Sequence, residues 1–300
     1  MTQPTIIRRP LSQVERWSIV TIVVLPFLGL LYAIGTHTIS RLDLAIFFST
    51  YLILGLGVTM GLHRYFTHNS FKTHWIGKTA LAIAALMAIE GQIREWVANH
   101  LIHHRHSDTE HDLHSPNLSR EVWRGLWHAH VGWMLKGHVV NKEDWLPMRL
   151  RDDRTVIVLD RLFLFWVFLS LAIAPMIGWY WTRTWHGTWT AFVWGSLVRM
   201  FFVHHITWSI NSICHMYGSR PFHTGDLSTN NLLCGILGFG EGYHRTHHRF
   251  PSSAKHGLLK GHFDLTWFFI WLGWRVGLID DPIVPSAKQI QDALDEQRAA

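Results

Sequence analysis

Cysteine is nearly missing from this 300-residue chain. The only two, Cys214 and Cys234, lie in apolar stretches, so there is no C-x-x-C motif and no disulfide framework. A reduced, cytoplasm-facing environment is the simplest reading. A phosphate loop is also missing: Gly235-Ile-Leu-Gly-Phe-Gly240 lacks the Lys-Ser/Thr ending and the strand context. No cleavable leader is evident. The first 16 residues are polar, with Arg8, Arg9 and Arg16, and the apolar run behind them is too long for a signal peptide. No internal repeat and no linker divides the chain, so residues 1–300 are read as one membrane domain with loosely ordered tails at 1–12 and 286–300.

What is abundant is apolar and aromatic. Hydrophobic residues make up 48%, mean hydropathy is +0.11, and 17 Trp point to membrane–water interfaces. A membrane helix needs about 20 mostly apolar residues. Four stretches qualify: about 17–34, 44–62, 162–181 and 189–213. Short links within each pair predict two helical hairpins, which return the N-terminus, residues 63–161 and residues 215–300 to one side. The segment 63–161 carries 13 Lys and Arg, whereas the opposite links carry only Arg41 and Arg183. Positive-inside bias puts the shared side in the cytoplasm. The net charge of +6 is therefore read as membrane topology and contact with anionic lipid, with no nucleic-acid partner. Ile76–Ile89 is too short to cross and is expected to lie buried or at the interface, as is Phe263–Ile279.

Histidine carries the chemistry. It forms three clusters: His63 with His68; His100, His103 and His104; and His244, His247 and His248. The last two share the pattern H-x-x-H-H, which brings three imidazoles onto one helix face. Eight histidines exceed the four ligands of a tetrahedral zinc and suit two metal ions. There is no matching set of Glu-x-x-His pairs like those of soluble di-iron carboxylate bundles. His63 and His68 are splayed by a regular helix, so either the helix bends or ends near Tyr65-Phe66-Thr67 or the two serve different sides of the site. All clusters fall on the cytoplasmic side of the predicted spans. That clustering argues against a metal carrier, whose ligands would line a path through the membrane.

These motifs together resemble the membrane fatty-acyl desaturases of the stearoyl-CoA (delta-9) type, in a bacterial-like form. The resemblance runs from about residue 20 to 280. It includes Gly61-Leu62-His63-Arg64, Glu95-Trp96, Ser107-Asp108, His114-Ser115-Pro116, His130-Val131-Gly132-Trp133, Thr207-Trp208, Asn211-to-His215 and Gly240-to-His244. It implies an all-α integral membrane protein: four transmembrane helices in two hairpins, with a cytoplasmic helical cap holding a histidine-rich di-iron site. It implies two irons held by His63, His68, His100, His103, His104, His215, His244, His247 and His248, with a water held by Asn211. The implied reaction is O2-dependent insertion of a cis double bond, at the delta-9 position, into a saturated acyl chain. Reduced iron can make the oxidant that such C–H bonds demand, and zinc cannot. Trp96, Thr207 and Trp208 are expected to shape a bent substrate tunnel. Tyr51 and Gly55 are expected at its far end, where a larger residue at 55 would shorten the preferred chain.

The resemblance departs at the headgroup. Ala98-Asn99 stand where acyl-CoA enzymes have an Arg-Asp pair, and Glu90-Gly91 replace a Gln-Asn pair, so CoA, acyl-carrier protein and glycerolipid all remain open as carriers. No haem-binding extension follows residue 285. Electrons are expected from a separate ferredoxin-like or cytochrome-like donor with its reductase, received on a basic surface near Arg120, Arg124, Lys136 and Arg151 or not there at all, if those cations anchor the loops to lipid. Two other readings stand: a related histidine-rich hydroxylase or ketolase, and a non-enzymatic membrane metal-binding protein. The remaining histidines, among them His106, His111, His114, His128, His130 and His138, are read as hydrogen-bonding supports. His204, His205 and Arg199 inside the fourth span are read as packing or tunnel lining.

Overall fold

The computed structural model describes residues 6–140 and 142–299. Helices follow in the order α1 (Gln13–Thr36), α2 (Arg41–Leu56), α3 (Trp75–Met87), α4 (Ile93–His106), α5 (Val122–His130), α6 (Lys142–Trp145), α7 (Met148–Arg151), α8 (Arg154–Arg161), α9 (Phe163–Thr182), α10 (Trp185–Phe192), α11 (Arg199–Ser212), α12 (Leu232–Leu237), α13 (His244–Arg249), α14 (Leu265–Arg275) and α15 (Ala287–Ala299). Two π-helical stretches, Gly57–Thr67 and Val193–Val198, prolong α2 and join α10 to α11.

Among the described residues, three helical runs are long and apolar enough to cross a membrane: Gln13–Thr36, Arg41–Thr67 and Phe163–Thr182. Their starts are set locally. Ser12 and Glu15 form a capping box at α1, and Ser40 and Asp43 form another at α2. α9 turns Leu164, Phe168 and Met176 outward, exposed at 80%, 70% and 65%. That apolar surface has no partner among the described residues and suits a lipid surround. The expected fourth span is an unbroken helical run from Trp185 to Ser212, less apolar than the other three because Arg199, His204 and His205 interrupt it.

Small residues bring these helices together. A Cβ on Gly29 would stand 2.5 Å from Leu197, and one on Gly195 would stand 2.4 Å from Ile46. Arg199 and His204, polar side chains inside the fourth run, each find a neighbouring backbone or hydroxyl partner, although Arg199 Nη1 and His204 Nδ1 have none among the described residues. Arg199, fully buried, donates to the Gly195 carbonyl (3.3 Å) and the Ser170 hydroxyl (2.9 Å). His204 Nε2 lies 3.0 Å from the Ala88 carbonyl oxygen.

α3 packs against Gly57–Thr67 with Ala82, Ala85 and Leu86 buried and Trp75 and Ile76 exposed. Gly57 permits the approach: a Cβ there would stand 2.4 Å from the Ala84 backbone.

Three expectations need correction or refinement. The fold is not purely helical: Ile6–Arg8 (β1) pairs antiparallel with His138–Val140 (β3), and Lys72–Thr73 (β2) with Ile279–Asp280 (β4). The tails are ordered beyond what polarity predicts. β1 ties residues 6–8 to the cap, and 287–299 forms α15, anchored by buried Ala293 and an Arg249–Glu296 ion pair. Residues 1–5 and 300 lie outside the described residues. Third, the helix ends at Thr67, as the spacing predicts, but its last stretch is π-helical and not regular α-helix, and the i→i+5 hydrogen bonds bring residues five apart into line. The His68 N–H donates to the His63 carbonyl at 3.1 Å, and the two rings sit 4.9 Å apart.

Candidate metal centre

The nine histidines expected as ligands converge from four places: the π-helix after α2, α4, the end of α11 and α13. They form two adjacent groups. His63, His68, His100, His104 and His247 make the first, and His103, His215, His244 and His248 the second. α4 feeds both groups. His100 and His104, at i and i+4, face one, while His103 faces the other.

The nitrogen geometry fits a cation. In the first group, His100 Nε2 lies 3.2 Å from His68 Nε2 and 3.0 Å from His104 Nε2. His247 Nε2 lies 3.0 Å from His63 Nε2 and 2.8 Å from His104 Nε2. In the second, His244 Nε2 is 3.0 Å from both His215 Nε2 and His248 Nε2. A ring nitrogen carries one proton or one lone pair, so it cannot satisfy two such neighbours. A metal at the centre accepts all the lone pairs at once. With metal–nitrogen distances of about 2.0–2.1 Å, neighbouring ligands at right angles sit about 3 Å apart. His103 Nε2 is buried with no hydrogen-bond partner, which fits the same purpose.

Carboxylates hold the far side of four rings. His103 Nδ1 donates to Asp112 (3.1 Å), His215 Nδ1 to Asp108 (2.9 Å), His248 Nδ1 to Asp226 (2.7 Å), and His63 Nδ1 to Glu241. Each bond fixes the tautomer that leaves Nε2 free for metal. Burial opposes ionisation of these acids, but the facing imidazoles and hydroxyls outweigh it, and Asp108, Asp112 and Asp226 are held below the ordinary carboxylate range. Three acids back the second group and one the first. Asp226→Asn is expected to lower metal affinity by about 10–100-fold, measured by equilibrium dialysis against competing chelator.

Burial, reinforced by neighbouring imidazoles, pushes His68, His100, His104, His244 and His247 well below their ordinary pKa, and His248 to about 4. His103 is the exception: burial lowers it, but Asp112, Asp108 and Asp226 together raise it. The metal-free fold thus binds fewer protons than the unfolded chain. Its stability is full above the free histidine pKa of about 6.5 and falls as pH drops below it, since the unfolded histidines take up protons first. Thermal unfolding of chelator-treated protein from pH 8 to 5 should show a midpoint that falls steadily below about pH 6.5. A midpoint rising on acidification would contradict it.

Several participants carry no sequence signal strong enough to find them. Glu241 and Asp108 stand inside recognisable motifs, but only the fold shows them gripping His63 and His215. Asp112 and Asp226 have no motif. His256 is buried, its ring 4.6 Å from that of His247 and 5.2 Å from that of His63, and neither ring nitrogen has a hydrogen-bond partner. His106 sits beside His111 and Trp145, outside both groups. His114 joins His103 and Asp112 instead, and His130 meets His205 (2.9 Å) and Ser212 (3.0 Å). The side chain of His138 lies outside the described ones.

A cavity of about 640 Å³ runs to the groups, bordered by Trp96, His100, Thr207, Trp208 and Asn211. Trp96, His100, Thr207 and Asn211 also border a smaller inner space of about 50 Å³, with His63 and His244. Tyr51 and Gly55 stand outside both walls. Gly55 is pressed against Phe239, where a Cβ would come within 2.5 Å of the ring, and Tyr51 packs edge-on to the same ring. Of the expected basic surface, Arg124 pairs with Glu121 (2.9 Å), and Arg151 turns back to the Glu143 and Leu146 carbonyls.

Membrane-length apolar helices and paired imidazole groups beside an apolar cavity define a helical protein with a histidine-rich site able to hold metal in contact with lipid-like substrates. The family model "Fatty acid desaturase" matches residues 41–266. The chain belongs to that family and is an oxidoreductase. It is 36% identical over 277 residues (89% of this chain, 86% of the relative) to a hex-5-enoyl-[acyl-carrier protein] acetylenase of Moorena producens (strain JHB). It is 36% identical over 251 residues (82% and 67%) to an icosanoyl-CoA 5-desaturase of Limnanthes douglasii. It is 35% identical over 264 residues (87% and 92%) to an sn-1 stearoyl-lipid 9-desaturase of Anabaena variabilis.

Proposed function

We propose that this desaturase holds two irons, one in each histidine group, and inserts a cis double bond into a saturated acyl chain, with the ninth carbon as the expected position. The observation that carries this reading is the convergence of nine Nε2-presenting imidazoles on two adjacent points at the end of an apolar cavity. Bound and reduced, the iron pair supplies the oxidising power from O2 that an unactivated C–H bond requires. The chain's own residues do the rest. His63, His68, His100, His104 and His247 take one metal, and His103, His215, His244 and His248 the other. Asn211, bordering both cavities beside His100, offers its side-chain amide to a water at the second group. Trp96, Thr207 and Trp208 fix where the acyl chain bends and keep bulk water out.

The family relatives act at carbon 5, 7 or 9 by name, so cavity shape is taken to set the position. Phe239, backed by Tyr51, closes the far end. Phe239→Ala should raise relative kcat/KM for longer chains by about tenfold per added methylene; product analysis over a series of chain lengths checks it. Gly55→Leu should shorten the preference by driving Phe239 inward.

The four helical runs cross the membrane as two hairpins and leave the metal groups facing the cytoplasm, supported by the basic segment 63–161. Electrons arrive from a separate acidic ferredoxin-like or cytochrome-like donor with its reductase. Arg120 and Lys136 are the basic-surface residues left for it. Supplying isotope-labelled stearoyl chains to cells expressing the protein, then locating double bonds by mass spectrometry, tests the reading. Labelled cis-9 alkene is expected; hydroxylated product without alkene would overturn it.

A further inference from the structure

The cavity's outer wall is unusual in its make-up. On one side stand Val14, Ser18, Ile19 and Ile22 of α1, a helix of membrane length; on the other stand Trp133 and Met134 of the cap. Val14 is 76% exposed and its neighbour Trp17 63%, so the rim runs directly into the lipid-facing surface of α1. A chain already dissolved in a bilayer reaches this rim without crossing water, whereas each methylene brought through water is penalised.

The charges at the mouth point the same way. The lining cations are Arg9 and Lys142, and the lining acids are Glu15, Glu90 and Glu95. Arg9 is committed to Glu15, with Nη1 donating to Oε2 at 2.8 Å. Carriers with several uncompensated phosphate charges, such as CoA, are held by forks of unmatched Arg and Lys. Among the described lining residues there is no such excess. Ala98 and Asn99 offer no charge at all. Deeper in, Glu90 shares the cavity lining with Thr207 and Trp208, and burial pushes its carboxyl up to about 8. Its Oε1 is buried with no partner. A protonated carboxyl here is a neutral donor, suited to an ester carbonyl, and it brings no positive charge to balance a polyanionic head.

We propose that the acyl chain enters sideways from the bilayer, still esterified to a glycerolipid of no net charge, through the cleft between α1 and the Trp133–Gly137 turn. This rests on the acyl-desaturase reading and names the carrier that reading leaves open. The test uses the full chain in phosphatidylcholine nanodiscs with two photoreactive probes. One is phosphatidylcholine with a diazirine near the ester end of one chain; the other is the same chain as its CoA thioester. Cross-linked peptides are mapped by mass spectrometry.

The lipid probe should label residues 14–22 and 133–137, and excess unlabelled phosphatidylcholine should suppress it while acyl-CoA does not. Ser18→Arg, which puts a cation in the cleft, should cut lipid labelling by about tenfold, the effect of roughly one lost favourable contact. Should Ser18→Arg fail to fold, the competition on the unaltered protein decides alone. Labelling of the cleft by the CoA probe, displaced by acyl-CoA but not by lipid, would overturn the proposal, as would labelling of an acyl-carrier-protein thioester in preference to the lipid. Labelling needs neither metal nor O2, so its failure is distinct from failure to form an alkene.

Discussion

Replacing His247 with alanine is expected to abolish desaturation and to strip metal from the first histidine group. His247 Nε2 is the member that touches both His63 Nε2 (3.0 Å) and His104 Nε2 (2.8 Å), joining the π-helical end of α2 to α4. Its removal opens the ring of donors and leaves rings from α4 and the π-helix unbridged. The ring is fully enclosed, so water cannot restore an imidazole's basicity there. Activity should fall by at least about a thousandfold, the scale of losing a group that acts only as part of a unit. Iron per chain, measured by plasma emission after gel filtration, should drop by about half, since the second group keeps its ligands. Full iron content with turnover intact would remove His247 from the site. His103→Ala is the mirror experiment and should empty the second group instead.

Glu241→Leu should produce the largest loss of stability. Arg64 is fully buried and is held by Glu241 and by both oxygens of Asp264, each at 3.2 Å. Asp264 also accepts from the backbone N–H groups of His256 (2.7 Å), Gly257 (3.1 Å) and Trp267 (2.8 Å), so it starts α14 and pins the loop after the third histidine cluster. Glu241 bridges this cluster to the metal centre through His63 Nδ1. Burial alone would raise its pKa, but Arg64 and His63 outweigh that and hold it below the ordinary range. Removing the carboxylate leaves a guanidinium half-neutralised in the interior. Breaking a buried pair in this way costs about 3–5 kcal/mol. Denaturation of the detergent-solubilised variant should show that loss, and Glu241→Gln, which keeps a hydrogen-bonding side chain, should recover part of it. If Glu241→Leu unfolds like the parent, the bridge has no structural weight.

Much of this was legible in the chain. The apolar runs at 17–34, 44–62 and 162–181 are visible because a membrane helix must be apolar throughout its length, a requirement local sequence cannot hide. The H-x-x-H-H pattern shows that three rings share a helix face, because i, i+3 and i+4 are neighbours on any α-helix. His63 and His68 show where such reasoning stops. Spacing predicts an end near Thr67, and the run does end there, but the π-helical form that brings the two rings together, alongside Gly57 packed on Ala84 of α3, is visible only in the fold. The tail at 287–299 reads as loose because it is polar, yet docking of Ala293 and Glu296 orders it.

By itself, then, the sequence determined the membrane-length helices, the ligand type and the count of imidazoles, since hydrophobicity and donor chemistry belong to residues one at a time. Tertiary structure alone decided the division into groups of five and four, the carboxylates behind His63, His103, His215 and His248, and the packing of Phe239 on Gly55 and Tyr51. Those contacts join groups up to 184 residues apart along the chain, as His63 and His247 are. Contacts at that separation are set by how helices pack, and no local pattern encodes them.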